Sequence, residues 1–66
     1  MEYQIEFEQE EDGRWIAEIL ALPGVMAYGS SRTEAESRVE AMALRVIADR
    51  IERDNTTMTQ VHFATA

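Results

Sequence analysis

The side chains of this chain that could act in acid–base or nucleophilic catalysis are few. His62 is the only histidine, and a histidine that transfers protons or binds a metal needs partners at workable spacing. The sequence assigns it none, and a lone histidine in a strand is more often a surface residue. Ser30, Ser31 and Thr33 carry hydroxyl groups, but such residues commonly cap the first N–H groups of a helix. The pattern favours a protein without a catalytic centre.

Acidic side chains recur at the N-terminus and suggest metal binding as a second kind of chemistry. Glu2, Glu6 and Glu8 are spaced to share one side of a strand, and clustered carboxylates can hold Mg²⁺. The same residues alternate strictly with apolar ones, which is the pattern of a half-buried strand with one solvated face. We therefore interpret them as a solvated acidic face and predict no metal ion and no cofactor.

The composition also argues against phosphate and nucleic-acid ligands. Gly24 and Gly29 lack the spacing and the lysine of a phosphate-binding loop. Five aromatic side chains could stack on bases, but such platforms come with a positively charged groove. The chain instead carries 13 acidic and 6 basic residues, a formal net charge of −7. This balance predicts no direct nucleic-acid binding and favours a basic protein as partner.

The length limits how far the fold can stabilise itself. Sixty-six residues make one domain, and a chain of that size buries only about 60% of its unfolded surface. There is no cysteine for a disulfide or a thiolate metal site, so association with itself or a partner is the expected source of further stability. Neither a signal peptide nor an apolar run of about 20 residues is present, and we expect a cytoplasmic protein.

Three strands are predicted before any helix. Residues 2–9 alternate between apolar and polar side chains, residues 10–13 end in Asp-Gly and predict a hairpin turn, and residues 14–20 form the second strand. The second strand has apolar side chains on both faces, which is typical of a central strand. Residues 25–29 form a short third strand. The side chains that point to the helix are predicted to be Tyr3, Ile5 and Phe7 from the first strand and Trp15, Ala17 and Ile19 from the second.

Particular residues mark the boundaries of these elements. Leu22-Pro23-Gly24 ends the second strand, because Pro fixes φ and Gly accepts the positive φ of a type II turn. Gly29 ends the third strand. Ser31 and Glu34 have the spacing of a capping box, and a helix follows to about Arg53. Its predicted core-facing residues are Ala35, Val39, Met42, Ala43, Val46 and Ile47.

The element order predicts the fold class. Residues 58–65 form a last strand, with Val61 and Phe63 directed inward. The order is therefore β-β-β-α-β, an α+β fold of two layers with one long helix on one face of a four-stranded sheet. The helix is long enough to carry the chain to the far edge of the sheet, where the last strand pairs parallel with the first. This predicts a mixed sheet of order 3-2-1-4.

The residues that begin and end the strands and the helix in residues 12–52 resemble the pattern of a known family. The segment DGRWIAEILALPGVMAYGSSRTEAESRVEAMALRVIADRIE is similar to the N-terminal domain of HicB-type antitoxins. The family pattern is an aromatic strand, Leu-Pro-Gly, a glycine that ends the third strand, and a capped helix that opens with Glu-Ala. The matching residues here are Trp15, Glu18, Leu22-Pro23-Gly24, Gly29, Ser31 and Glu34-Ala35.

The resemblance implies a fold, a partner and an assembly. The fold would be the truncated RNase-H-like unit, without nuclease activity. The partner would be a HicA-type toxin, a small basic protein that cleaves mRNA and whose surface HicB covers. Family members are commonly dimers or higher oligomers, so we expect a dimer or tetramer. Many of them continue into a C-terminal DNA-binding segment, whereas residues 1–66 are expected to hold the HicB-like domain alone.

Two further hypotheses stand beside the antitoxin. The chain could be an orphan HicB-like scaffold or small-ligand-binding domain without a toxin, or, third, an RNase-H-like metal nuclease. For the antitoxin we predict that Met26, Tyr28 and the backbone of the edge strand contact the partner or a second copy. The residues predicted to attract the basic partner are Glu2, Glu6, Glu8, Glu10, Glu11 and Asp12.

Overall fold

Four strands and one helix make up the fold. The computed structural model describes residues 1–65. In chain order its strands and helix are β1 (Glu2–Gln9), β2 (Trp15–Glu18), β3 (Met26–Gly29), α1 (Arg32–Asp54) and β4 (His62–Thr65). The strands form one sheet of order β3-β2-β1-β4. β2 is antiparallel to β1 and β3, and β4 is parallel to β1. This confirms the predicted α+β layout and strand order.

A tight hairpin joins β1 to β2, as the Asp-Gly pair predicts. The N–H of Glu10 donates to the carbonyl of Arg14 at 2.7 Å, and the N–H of Gly13 donates to the carbonyl of Glu10 at 2.9 Å. Asp12 accepts from the backbone N–H of Arg14 at 3.0 Å and from its Nε at 2.8 Å. The acidic turn is therefore held by an arginine that follows it directly.

The connection from β2 to β3 begins earlier than predicted. The N–H of Leu22 donates to the carbonyl of Ile19, and that of Val25 to the carbonyl of Leu22, both at 3.0 Å. The first of these turns takes Ile19 and Leu20 out of the predicted strand, so β2 ends at Glu18. The second turn contains Pro23 and Gly24. Gly24 is its third residue and has a φ of +85°, the value expected there in a type II turn, as the Pro-Gly pair predicts.

The helix α1 is 23 residues long and begins after Ser31, its N-cap. The Ser31 hydroxyl accepts from the N–H of Glu34 at 3.1 Å, while the Glu34 carboxylate reaches back to the N–H of Ser30 at 2.9 Å. The predicted capping box is therefore present, with its return bond one residue earlier than the standard pattern. At the other end Asn55 adopts the left-handed conformation, φ 52°, which ends the helix.

Acid should weaken this cap. The backbone N–H of Ser30, and then the charge of Arg38, hold the pKa of Glu34 below its ordinary value of 4.5. A lowered pKa in the folded state means that the unfolded chain binds more protons as the pH drops below about the ordinary pKa of Glu34, so the free energy of unfolding falls there. We expect Glu34→Gln to make the free energy of unfolding, measured with urea between pH 7 and pH 3, depend less on pH. Glu52→Gln, at the far end of α1, is the matched control, and equal pH slopes for both variants would contradict the assignment.

The last strand is shorter than predicted. Its ladder with β1 starts where the N–H of His62 donates to the carbonyl of Met1 at 2.8 Å, so residues 58–61 precede β4 instead of belonging to it. Upstream of His62, the carbonyl of Gln60 accepts from the terminal amino group of Met1 at 2.6 Å, but the ladder with β1 does not extend there. Val61 and Phe63 are half-buried against the core, as predicted for inward-facing residues.

A small apolar core lies between α1 and the sheet, with α1 packed over β3 and β2. Its largest fully buried side chains are Ile5, Ile19, Leu22 and Val39. Gly29 lets the end of β3 touch the start of the helix, because a Cβ at this position would lie 2.4 Å from the backbone nitrogen of Ala35. The helix residues that are buried are Ala35, Val39, Ala43 and Ile47, whereas Met42 and Val46 are only half-buried.

Candidate functional site

The side of the sheet opposite α1 is open to solvent, and we call it the outer face. Its members follow from the alternation of each strand and from the cross-strand register. Along β1 the inward residues Tyr3 and Ile5 are buried while their neighbours are exposed. The outer face consists of Glu2, Gln4, Glu6 and Glu8 from β1, Ile16 and Glu18 from β2, Met26 and Tyr28 from β3, and His62 and Ala64 from β4.

The register arranges this face in two rows that cross three strands. One row runs from Tyr28 through Ile16 to Glu8, and the other runs from Met26 through Glu18 to Glu6. Each row therefore begins with a large apolar side chain on the edge strand and ends with a carboxylate on β1. The outer face is apolar toward β3 and acidic toward β1.

Two carboxylates sit directly opposite each other in the acidic half. Glu6 of β1 pairs with Glu18 of β2, and the Cα atoms of opposed residues in such a ladder are about 5 Å apart. Glu6, Glu8 and Glu18 also line a shallow depression of about 250 Å³ together with Ile16 and Phe7. Like charges in direct opposition destabilise a sheet, so a cation placed between Glu6 and Glu18 would relieve their repulsion.

Large apolar side chains in and beside the apolar half are exposed to solvent. Met26 is 38% exposed, Tyr28 is 41% exposed, and Leu20, which follows β2, is 63% exposed. Leu20 and Ala21 line a second depression of about 220 Å³ that also reaches Glu6. Apolar side chains grouped beside charged ones are typical of a surface that binds another protein.

Arg14 lies at the edge of the outer face, against Tyr28 of β3. The guanidinium of Arg14 lies 4.8 Å from the centre of the Tyr28 ring, a cation–π contact. Its Nε is 2.8 Å from Oδ2 of Asp12. Backbone and side-chain bonds from Arg14 also lower the pKa of Asp12. The Asp12 charge is thus balanced within the chain.

The structure divides the predicted contact residues into three groups. Glu6, Glu8, Met26 and Tyr28 lie together on the outer face, while Glu2 lies on the same face at the opposite end of β1, beside His62. The turn between β1 and β2 contains Glu10, Glu11 and Asp12, where Asp12 is paired with Arg14.

Sequence reasoning missed one member of the central group. Glu18, which lies on the same side of β2 as Ile16, is not among the predicted contact residues, although these two side chains connect the acidic and apolar halves. The signal that could have found Glu18 is the hairpin itself. Once the turn at 10–13 is accepted, counting back along both strands pairs Glu18 with Glu6.

Within residues 1–65 the structure contains no group of three His, Cys, Asp or Glu side chains that could hold a metal ion. In the same part of the chain every polar or charged side chain is at least partly accessible to solvent. His62 is exposed on β4, opposite Glu2.

No protein-family model, curated protein or solved structure matches the chain. Over the described range, the structure has no helix with both the length and the apolar character required to cross a membrane.

Proposed function

We propose that this chain is a HicB-like antitoxin domain that binds and masks a small, basic, HicA-type ribonuclease toxin in the cytoplasm. The observation that carries the proposal is the outer face, where the acidic group Glu6, Glu8 and Glu18 adjoins the half-buried Ile16 and the exposed Met26 and Tyr28. The resemblance of residues 12–52 to this antitoxin family supports the same assignment.

Charge favours a basic partner at long and short range. A net charge of −7 attracts a positively charged protein and speeds encounter, because complementary fields steer diffusion. At contact, lysine or arginine side chains of the partner would lie between Glu6 and Glu18 and replace a repulsion with an attraction. These are the side chains with which an RNA-binding protein holds phosphates, so occupying them masks the RNA site.

The apolar side chains would supply the contact energy. Rim charges contribute more to the rate and specificity of association than to affinity, whereas tyrosine and other large side chains dominate the energetics of interfaces. Tyr28 and Met26 are exposed beside the carboxylates, so a partner that sits on the acidic half can cover them at the same time. The proposed function is therefore one of binding, with no catalytic step in this chain.

The test is co-expression with the product of any short adjacent reading frame that encodes a basic, histidine-containing protein. Wild-type chain is expected to restore growth and to form a complex on size-exclusion chromatography at micromolar concentration. The double variant Glu6→Lys/Glu18→Lys is expected to weaken that complex roughly 100-fold and to fail in the growth assay. Raising the salt concentration should weaken the wild-type complex as well.

The matched control carries the same change in charge elsewhere. Glu52→Lys/Asp54→Lys alters two exposed acids near the end of α1 and is expected to behave like wild type in both assays. Equal loss of binding in the two double variants would show that total charge acts without the outer face. No complex with the wild-type chain would refute the proposed function.

A further inference from the structure

The backbone of β3 has hydrogen-bonding groups that point away from the sheet. The N–H of Ile19 donates to the carbonyl of Val25 at 3.0 Å, and hydrogen-bonded pairs alternate along an antiparallel ladder. Ala27 therefore bonds to Ala17 of β2, while the N–H and C=O groups of Met26 and Tyr28 point to the open edge. The Arg38 guanidinium confirms this direction, because its Nη1 donates to the Tyr28 carbonyl at 3.0 Å.

The residues of this strand lack the features that usually prevent strands from pairing between molecules. Proteins protect open edges with charged side chains, proline, bulges or a covering segment. β3 consists of Met-Ala-Tyr-Gly, with neither a charge nor a proline. The Arg38 side chain, which reaches the Tyr28 carbonyl from α1, is exposed and would move aside when another strand pairs with this edge.

Two acids near this edge are balanced by arginines, although the chain as a whole is strongly acidic. Arg14 pairs with Asp12 at 2.8 Å, and Arg38 lies 3.4 Å from the carboxylate of Glu34. Among the acids without such a pairing, Glu6 and Glu8 lie on β1, two strands away, whereas Glu18 lies on β2, opposite Met26. Two copies with a charge of −7 each would therefore repel less at β3 than if they met through the acidic strand β1.

We propose that two copies of this chain pair antiparallel through β3, with Ala27 on the two-fold axis. Met26 of one copy then lies opposite Tyr28 of the other, and their outward N–H and C=O groups form hydrogen bonds in both directions. The methionine sulfur meets the tyrosine ring, a favourable contact. The result is one continuous eight-stranded sheet.

The helices fit this arrangement. Both copies of α1 lie on the same side of the joined sheet, each packed over β3 and β2. With strands about 4.8 Å apart, the two helix axes would be about 10 Å apart, a distance at which helices pack. Arg38 marks the side of α1 that faces the axis, and Met42 and Val46 follow on the same side at four-residue spacing. Both are half-buried in one copy, so the second copy would cover their open surface.

The experiment is sedimentation of the purified full chain over a range of concentrations. The wild type is expected to change from monomer to dimer in the micromolar range, and Met26→Lys is expected to weaken the dimer at least about tenfold by placing a charge on the edge. Leu20→Lys is the matched control, because Leu20 is exposed outside β3, and it should dimerise like wild type. A wild-type chain that stays monomeric at about 100 µM, well above a micromolar dissociation constant, overturns the proposal, as does equal weakening by both variants.

Hydrogen exchange of the wild-type chain tests the same pairing without a substitution. The amides of Met26 and Tyr28 point to solvent in the monomer and should exchange at least about tenfold more slowly in the dimer. Unchanged exchange at these two amides in a confirmed dimer would place the interface elsewhere and overturn the proposal. This result is independent of the basic partner, whose binding is measured separately by the Glu6→Lys/Glu18→Lys variant.

Discussion

Gly29→Ala is expected to lower the free energy of unfolding by about 3 kcal/mol, because the added methyl group overpacks a contact between two backbones. A Cβ at residue 29 would lie 2.4 Å from the nitrogen and 2.9 Å from the Cα of Ala35. Neither atom can rotate away as a side chain could. The end of β3 and the first turn of α1 must move apart, which also disturbs the cap at Ser31.

The matched control for this substitution is Gly24→Ala. Gly24 has a φ of +85°, and an added Cβ would meet nothing within 4 Å. Its cost is therefore only that of a left-handed conformation for alanine, about 1 kcal/mol. Urea unfolding at fixed protein concentration measures both variants. A loss for Gly29→Ala equal to or smaller than that for Gly24→Ala would contradict the close approach of strand and helix.

Ile19→Ala is expected to lower the free energy of unfolding by about 4 kcal/mol, the range for removing a large aliphatic side chain from a packed core. Ile19 is 0% exposed and belongs to the core cluster under α1. A domain of this size has a total stability of only about 3–10 kcal/mol. The variant should therefore be largely unfolded near physiological temperature, as measured by circular dichroism and thermal melting.

The neighbouring residue provides the control. Leu20 is 63% exposed, so Leu20→Ala should change the free energy of unfolding by less than about 0.5 kcal/mol. Both variants must be measured at the same protein concentration, since dimerisation through β3 would add concentration-dependent stability. Equal losses at the two positions would mean that Ile19 does not form part of the core.

Local patterns in the sequence were enough to predict the elements and their order. The alternation in residues 2–9, the Asp-Gly and Pro-Gly pairs and the Ser31–Glu34 cap each act within a few residues, and the structure confirms each of them. The strand ends were predicted less well. The alternation and the apolar residues predict that β2 reaches Leu20 and that β4 begins at residue 58. In the structure, β2 ends at the turn that starts at Ile19, and β4 begins where His62 pairs with β1.

The candidate site was only half predictable for the same reason. The acids of β1 and the exposed Met26 and Tyr28 can be recognised from alternation within single strands. That Glu18 lies opposite Glu6, and that Glu2 and the turn acids lie elsewhere, depends on the register between strands.

The sequence by itself determined the two layers, the order of the strands and the acidic character of one sheet face, because hydrophobic periodicity and turn chemistry are properties of neighbouring residues. Tertiary structure decided which side chains meet. It placed Gly29 against the backbone of Ala35, set the rows from Tyr28 to Glu8 and from Met26 to Glu6, and directed the backbone groups of Met26 and Tyr28 outward. These are distances between residues far apart in the chain, and only the packed fold defines them.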